Sequence, residues 1–482
     1  MEIVRLCENN MVEDKELKRG LNLPMAIFII VGMVIGASIW ISPADYLSET
    51  GPAIFLAYLI AVIPAIFIAY IIAYFGSAFP VAGGTYVIGS RLIGGFGGFM
   101  TVWLIILAVG STLAYLATTF GIFIGQAIGI PTKAELWFSI IIGVIVLTVF
   151  YFLNWIRIEI SGLIELIITL VGDILVMLIF IFAAVPHFNS ANFDPIFPLG
   201  FGPVLFAALI FYFSYIGFTL ILEVAGEVKN PKKNIPRALL ISFIILIGLY
   251  TTQAIMVAGI QDWSSPVGTV IEIILNGGLL PQGVVVFITI LISIAIASTL
   301  HPSFMAFSRD IMMISRENLF PKKLSKVHEK HRTPIPALTL LYIIGLIFLF
   351  TFIPILGPIL GVESAAVLLS AVVGVTVLII QIPISIGVYV LPKKFPEWHE
   401  KAGFKPSLKT LKVMGILGSV ISFIFVLLLF LDPDAGVIIS LIVFPFAGVG
   451  ALLYLIRSVM LKKKGIDIKE IMKKLPESVS IE

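Results

Sequence analysis

Long apolar runs, separated by short polar stretches, dominate this chain. Twelve of them are long enough to cross a hydrocarbon layer about 30 Å thick as helix, which takes about 20 residues. They cover residues 23–43, 52–75, 97–125, 136–153, 160–185, 201–225, 236–260, 281–313, 336–356, 364–391, 411–431 and 436–460. The runs are continuous rather than alternating, which excludes the strands of a membrane barrel. The pattern predicts an all-α integral membrane protein with twelve transmembrane helices, called spans 1 to 12 below. Residues 1–22 form an N-terminal segment, 23–391 hold spans 1 to 10, 392–410 are a loop, 411–460 hold spans 11 and 12, and 461–482 are a tail.

Composition agrees. Of the 482 residues, 59% are hydrophobic and 12% charged, and the mean hydropathy is +1.12. Soluble domains carry about 25% charged residues, so a water-soluble enzyme and a disordered chain are both excluded. The net charge is only +3, and the basic residues are scattered between apolar runs, so no nucleic-acid partner is expected. The single cysteine, Cys7, allows no intrachain disulfide and no Cys/His metal cluster. The first twenty residues are of mixed charge and the first apolar run is too long for a cleaved signal peptide.

Charge also sets orientation. With a cytoplasmic N-terminus, Lys133 is the only Lys or Arg on an outer loop, while Asp45, Glu49, Asp194, Asp262, Asp432 and Asp434 lie outside. This asymmetry places both termini in the cytoplasm of a multi-pass cell-membrane protein. The basic loops Glu227–Arg237 and Arg316–Arg332 and the run Lys462–Lys464 read as topology signals that also touch anionic lipid of the bilayer.

Two spans carry small, flexible residues at mid-depth: Gly32 to Trp40 (GMVIGASIW) in span 1, and Phe213 to Thr219 (FSYIGFT) in span 6. Small residues also serve close helix packing. Their occurrence in the first and sixth of twelve spans points instead to an inverted 5+5 repeat, spans 1–5 and 6–10, with interrupted spans 1 and 6 and two peripheral spans. An interrupted span 1 would expose the N–H groups of Gly36, Ala37 and Ser38 at the positive end of a half-helix, suited to a carboxylate. Span 6, broken at Gly217, would present carbonyls around Phe213, Ser214 and Ile216 to an α-ammonium.

Ionisable groups inside spans are costly and usually functional. Asp173, midway along span 5, is the candidate for ion or proton coupling. Glu165 lies two turns nearer the cytoplasm. His301 reads as structural, near the inner water interface. Glu223 and Glu227, four apart on one face, read as inner-gate contacts to basic loops. A membrane-embedded enzyme would need a nucleophile–base or metal constellation, yet none of the five histidines has metal-type spacing within a span. The absence of a GxxxxGK[ST] loop disfavours a primary pump.

Four segments resemble the amino acid–polyamine–organocation (APC) permeases: GMVIGASIWISP (Gly32–Pro43), PVAGGTYVIGSRLIG (Pro80–Gly94), SYIGFTLILEVAGEVKNPKKNIPRA (Ser214–Ala238) and SRENLFPKKL (Ser315–Leu324) followed by Thr333-Pro334. Gly226 and Ile88 depart from the family pattern. The resemblance implies a secondary active amino acid transporter working by alternating access. Spans 1, 2, 6 and 7 would rock against spans 3, 4, 8 and 9, with spans 5 and 10 as gates. It makes Phe213 a gate. Thr219 stands where an arginine-exchanging relative has an acid, and Ser303 where that relative has a bulky aromatic. The expected substrate is therefore a neutral, apolar amino acid, and a polyamine or cationic amino acid exchanger is the alternative. Gly172 stands where several relatives have a lysine in place of a sodium ion, and Ser298 and Thr299 offer hydroxyls near where sodium-coupled relatives supply theirs. No cofactor is expected beyond a coupling sodium ion or proton.

Overall fold

The computed structural model describes residues 19–78, 80–155, 158–265, 269–329, 331–432 and 435–474. Cys7 and Asp434 lie outside the described residues, as does the side chain of Lys133. Among the described residues, eleven single helices, plus one pair bent by 44°, are long and apolar enough to cross a membrane. The bent pair, Leu23–Val34 and Ser38–Asp45, is span 1. The twelve expected spans are thus present, and no strand is formed among the described residues.

Local chemistry starts and stops the helices. Asn22 caps span 1 by accepting the Met25 N–H at 3.0 Å, with Pro24 in the first turn where no N–H is needed. Span 2 runs Ile54–Ala78 and span 3 Gly95–Ile128, closed by Gly129 in the left-handed region. Span 4 is Thr132–Leu153, span 7 Pro231–Ile260, span 9 Ile335–Leu360 and span 10 Val362–Lys394. Span 11, Leu408–Phe430, is capped by Ser407, and span 12 is Gly436–Lys463. Span 3 is central, with 83% of its apolar window buried against 22% in spans 11 and 12, which lie at the periphery.

Besides the broken span 1, three spans depart from regular α-helix among the described residues. Span 5 is α over Ile158–Ile168 and Val176–Ala184, but Thr169–Leu175 forms a π-helical turn around Asp173. Span 6 is α only over Gly202–Phe211, and 3₁₀ turns Tyr212–Tyr215 and Phe218–Leu222 flank the break. Span 8 is divided at Thr299 into Gln282–Ser298 and Leu300–Arg316. Short helical segments join several spans. Gly84–Ile88, continued by a π turn Gly89–Ile93, follows span 2, and Val270–Asn276 follows span 7. The stretch after span 2 is therefore helical rather than a loop.

Candidate functional site

The breaks in spans 1 and 6 lie against each other. In span 1 the Ile35 N–H still reaches the Val31 carbonyl at 2.8 Å, but Ile35 turns extended (ψ 106°). The N–H groups of Gly36, Ala37 and Ser38 then find no backbone acceptor before the helix restarts. In span 6 Ile216 is extended (ψ 146°) and Gly217 takes φ 123°, a conformation that side chains disfavour. A Cβ at Gly217 would lie 2.9 Å from the Met33 carbonyl oxygen, so this glycine lets the two broken turns touch. A Cβ at Gly36 would meet nothing within 4 Å. That position opens onto a cavity.

The cavity has a volume of about 70 Å³. Both breaks line it through Gly36, Ala37, Ser38, Phe213, Ile216, Gly217 and Thr219. Span 3 contributes Thr112 and Tyr115, span 8 contributes Thr299 and Phe307, and span 10 contributes Val373 and Val377. None of its lining residues is charged. The space admits several water-sized groups.

Of the carbonyls expected from span 6, two are already engaged. Phe213 O accepts the Ile216 N–H at 3.0 Å, and Ser214 O accepts the Tyr250 hydroxyl at 3.2 Å. The Ile216 carbonyl takes no backbone N–H and remains for a ligand. Ser214 and Ser303 are not among the lining residues. Ser303 Oγ donates to the Thr299 carbonyl at 2.7 Å and sits 3.4 Å from Met33 Sδ, so it packs behind span 1. Phe307, one turn further along span 8, takes the lining place expected for it. The span 3 and span 10 residues carry no sequence signal beyond the run of small and hydroxyl residues Ala108–Thr112.

Tyr115 and Phe213 form an edge-to-face pair, with ring centroids 5.9 Å apart at 78°. Both also line a second cavity of about 200 Å³, with Asp45, Tyr46 and Asp432. That cavity adjoins a third of about 480 Å³, lined among others by Asp45, Gln126 and Glu272. One aromatic pair therefore separates the central cavity from a chain of larger ones. The other face, where Gly20 N–H meets Glu227 O at 2.9 Å, is closed. There Arg309 Nε donates to Glu227 at 2.9 Å, and Arg91 Nη1 donates to Glu317 at 2.9 Å. Glu227 thus pairs with span 8 rather than with a basic loop.

The coupling candidates occupy the back of span 1. Thr299 Oγ1 donates to the carbonyls of Gly32 (3.1 Å) and Ile35 (3.3 Å). Ser298 Oγ donates to the Ala295 carbonyl at 2.7 Å, and Gly172 of span 5 packs against Ala295. Asp173 is buried, and neither of its carboxyl oxygens has a partner. His301 is fully buried rather than near water, with Nδ1 3.1 Å from Glu165 Oε2. No group of three metal-ligating side chains exists among the described residues.

A family model described as amino acid permease matches residues 21–453. The branched-chain amino acid permease BcaP of Bacillus subtilis is 27% identical over 408 residues, covering 80% of this chain and 83% of that protein. The serine/threonine exchanger SteT of the same species is 26% identical over 356 residues, covering 70% and 78%. The human cystine/glutamate transporter is 26% identical over 348 residues, covering 70% and 69%. All three are named as transporters rather than enzymes.

Proposed function

The chain belongs to the amino acid permease family, and on that footing we propose that it is a secondary active transporter of neutral, apolar amino acids, working by alternating access and coupled to a cation. One observation carries this reading. Gly36, Ala37 and Ser38, whose N–H groups take no backbone acceptor among the described residues, and Ile216, whose carbonyl takes no backbone N–H there, line one small cavity that has no charged side chain. A zwitterion's carboxylate fits the positive end of the second half of span 1, and its ammonium fits the carbonyl. A cationic side chain would find no counter-ion there, and burying it unpaired is costly.

The layout supports alternating access. The two larger cavities described above lie on one side of the site, and ion pairs lie on the other. The breaks in spans 1 and 6 and the short helices after spans 2 and 7 fall at equivalent places in two five-span halves, which favours an inverted repeat. The basic residues gather on the sealed side, so that side is assigned to the cytoplasm of the cell membrane, with both termini.

For coupling, the favoured ion is sodium. Gly32 O, Ile35 O and Thr299 Oγ1 are hard oxygen ligands at the unwound turn of span 1, the kind of place where such transporters hold sodium; Ser298 Oγ is the adjoining hydroxyl on span 8, and Gly172 brings no competing cation. The second reading, a proton on Asp173, rests on that residue's two unpartnered buried oxygens. Uptake into proteoliposomes tests the whole scheme. Apolar neutral amino acids should accumulate under an imposed sodium gradient and not without one. Accumulation under a proton gradient alone would move coupling to Asp173. Uptake of arginine or diamines with none of neutral substrates would overturn the substrate class.

A further inference from the structure

Two buried acids on the sealed face have no part in binding or coupling as described above. Glu223 ends the second turn of span 6, and Asp310 lies on span 8. The Thr85 N–H donates to Glu223 Oε2 at 3.0 Å, and the Thr85 hydroxyl donates to Glu223 Oε1. The next N–H, that of Tyr86, donates to Asp310 Oδ1 at 3.0 Å. Carboxyls from two different spans thus sit on consecutive N–H groups in the first turn of the short helix Gly84–Ile88. Both are buried, at 1% and 0% exposure, and Asp310 Oδ2 has no hydrogen-bond partner.

The charged neighbours are directed elsewhere. Arg309 binds both oxygens of Glu227, at 2.9 and 3.3 Å, and the Met305 carbonyl. Arg91 holds Glu317, which also accepts from the Tyr86 hydroxyl. Arg316 is directed toward Met313 Sδ, and His301 pairs with Glu165 deeper in the bundle. Glu223 and Asp310 thus sit side by side on Thr85 and Tyr86, held by N–H and hydroxyl donors and with no paired cation among the described residues. Two adjacent carboxylates in a dry site cannot both ionise. A single proton between them supplies the donor that Asp310 Oδ2 lacks.

We propose that Glu223 and Asp310 form a proton-binding site that holds one shared proton while this face is shut. The inference rests on alternating access, because opening the face must draw span 6 away from span 8. Separation and hydration then break the carboxyl O–H bond, and the proton passes to water on that same side. Closing takes a proton back from that solution. No proton crosses the membrane, and the ligand acts on the gate. Since the proton is bound in the shut state, acid on this side holds the gate shut and alkali favours opening. One linked proton allows up to about a tenfold change in the opening equilibrium per pH unit.

Hydrogen exchange of residues 218–228 and 84–93 in the full-length protein, measured from pH 5.5 to 8.5 and corrected for the intrinsic base-catalysed rate, tests this. Corrected exchange should rise with pH in these segments and not in span 11. In Glu223→Gln the amide donates to Asp310 as the shared proton would. Exchange should then stay low at every pH, and Asp310→Asn should behave alike. A pH-independent wild type, or a full pH response in both variants, overturns the proposal. Equal protection of span 11 in all three proteins establishes that the variants fold. Amino-acid binding followed by thermal shift on the same samples reports separately on the transport reading, whose failure would leave the exchange result standing.

Discussion

The Tyr250 hydroxyl, on span 7, lies 3.1 Å from the Val34 carbonyl in the broken turn of span 1. The Ser214 carbonyl, in the other broken span, is 3.2 Å from the same hydroxyl. One O–H proton therefore serves two carbonyls that helix geometry has left open, and it ties the two breaks to a single unbroken helix. A break in a bilayer is tolerated only where its backbone groups are re-satisfied, and Tyr250 meets that need here.

Tyr250→Phe should lower thermal stability in detergent by about 1 kcal/mol, the net worth of one such bond. The ring contacts with Tyr58 and Tyr215, at 5.7 and 5.2 Å between centroids, are kept. Uptake should fall more than stability does, since the loosened carbonyls flank the site. Wild-type uptake in this variant would show that the breaks hold without the pin.

Gly36 and Gly217 should respond differently to substitution. Gly36 faces open space, so Gly36→Leu should insert and fold normally while filling the cavity. Its apparent affinity for substrate should drop at least tenfold, about 1.4 kcal/mol. Gly217 combines φ 123° with a backbone neighbour 2.9 Å from any Cβ, so even Gly217→Ala should cost more than about 1 kcal/mol in stability. Melting curves and uptake on both variants check the contrast, and equal melting temperatures would refute it.

Gly217 was legible in the sequence because few other residues tolerate its backbone, Gly36 because it falls in a run of small residues at mid-span, and the twelve spans because lipid demands long apolar runs. The side walls of the cavity were not legible. Thr112, Val373 and Val377 look like any residue of an apolar helix, since lipid and protein interior are equally apolar and no pattern marks the facing side. Ser303 is a similar case: only the rotation of span 8 decides that Phe307, and not Ser303, is among the residues lining this cavity. The pairing of Glu165 with His301, 136 residues apart, depends on how spans 5 and 8 cross. The π turn around Asp173 left no trace in the sequence.

Thr299→Val separates the two coupling schemes. It keeps the shape of the side chain and removes the hydroxyl between Gly32 O and Ile35 O. If sodium binds there, its half-saturating concentration should rise roughly tenfold or more, about 1.4 kcal/mol, with little change in binding measured at saturating sodium. One monovalent cation moving down 100 mV yields about 2.3 kcal/mol, enough for roughly fifty-fold accumulation of a neutral substrate. The variant should lose that accumulation at low sodium. Sodium dependence unaltered in Thr299→Val, together with a changed pH dependence in Asp173→Asn, would assign coupling to the carboxyl instead.

Substrate charge is open to reversal at Thr219. This residue follows the Gly217 turn, starts the second half of span 6 and lines the cavity beside Phe213 and Ile216. Ala108, Leu116, Val373 and Val377, which line the same cavity, offer a cationic side chain nothing to pair with. Thr219→Glu would place a carboxylate among them. With a neutral substrate bound, that charge is buried without a partner, at a cost of several kcal/mol or with loss of its charge. Uptake of neutral amino acids should therefore fall at least tenfold. Arginine or lysine would bring its own counter-charge, so each should begin to compete in the variant while leaving the wild type unaffected. Competition assays with leucine, arginine and lysine on both proteins check this, and wild-type uptake inhibited as strongly by arginine as by leucine would contradict the assignment of an uncharged pocket.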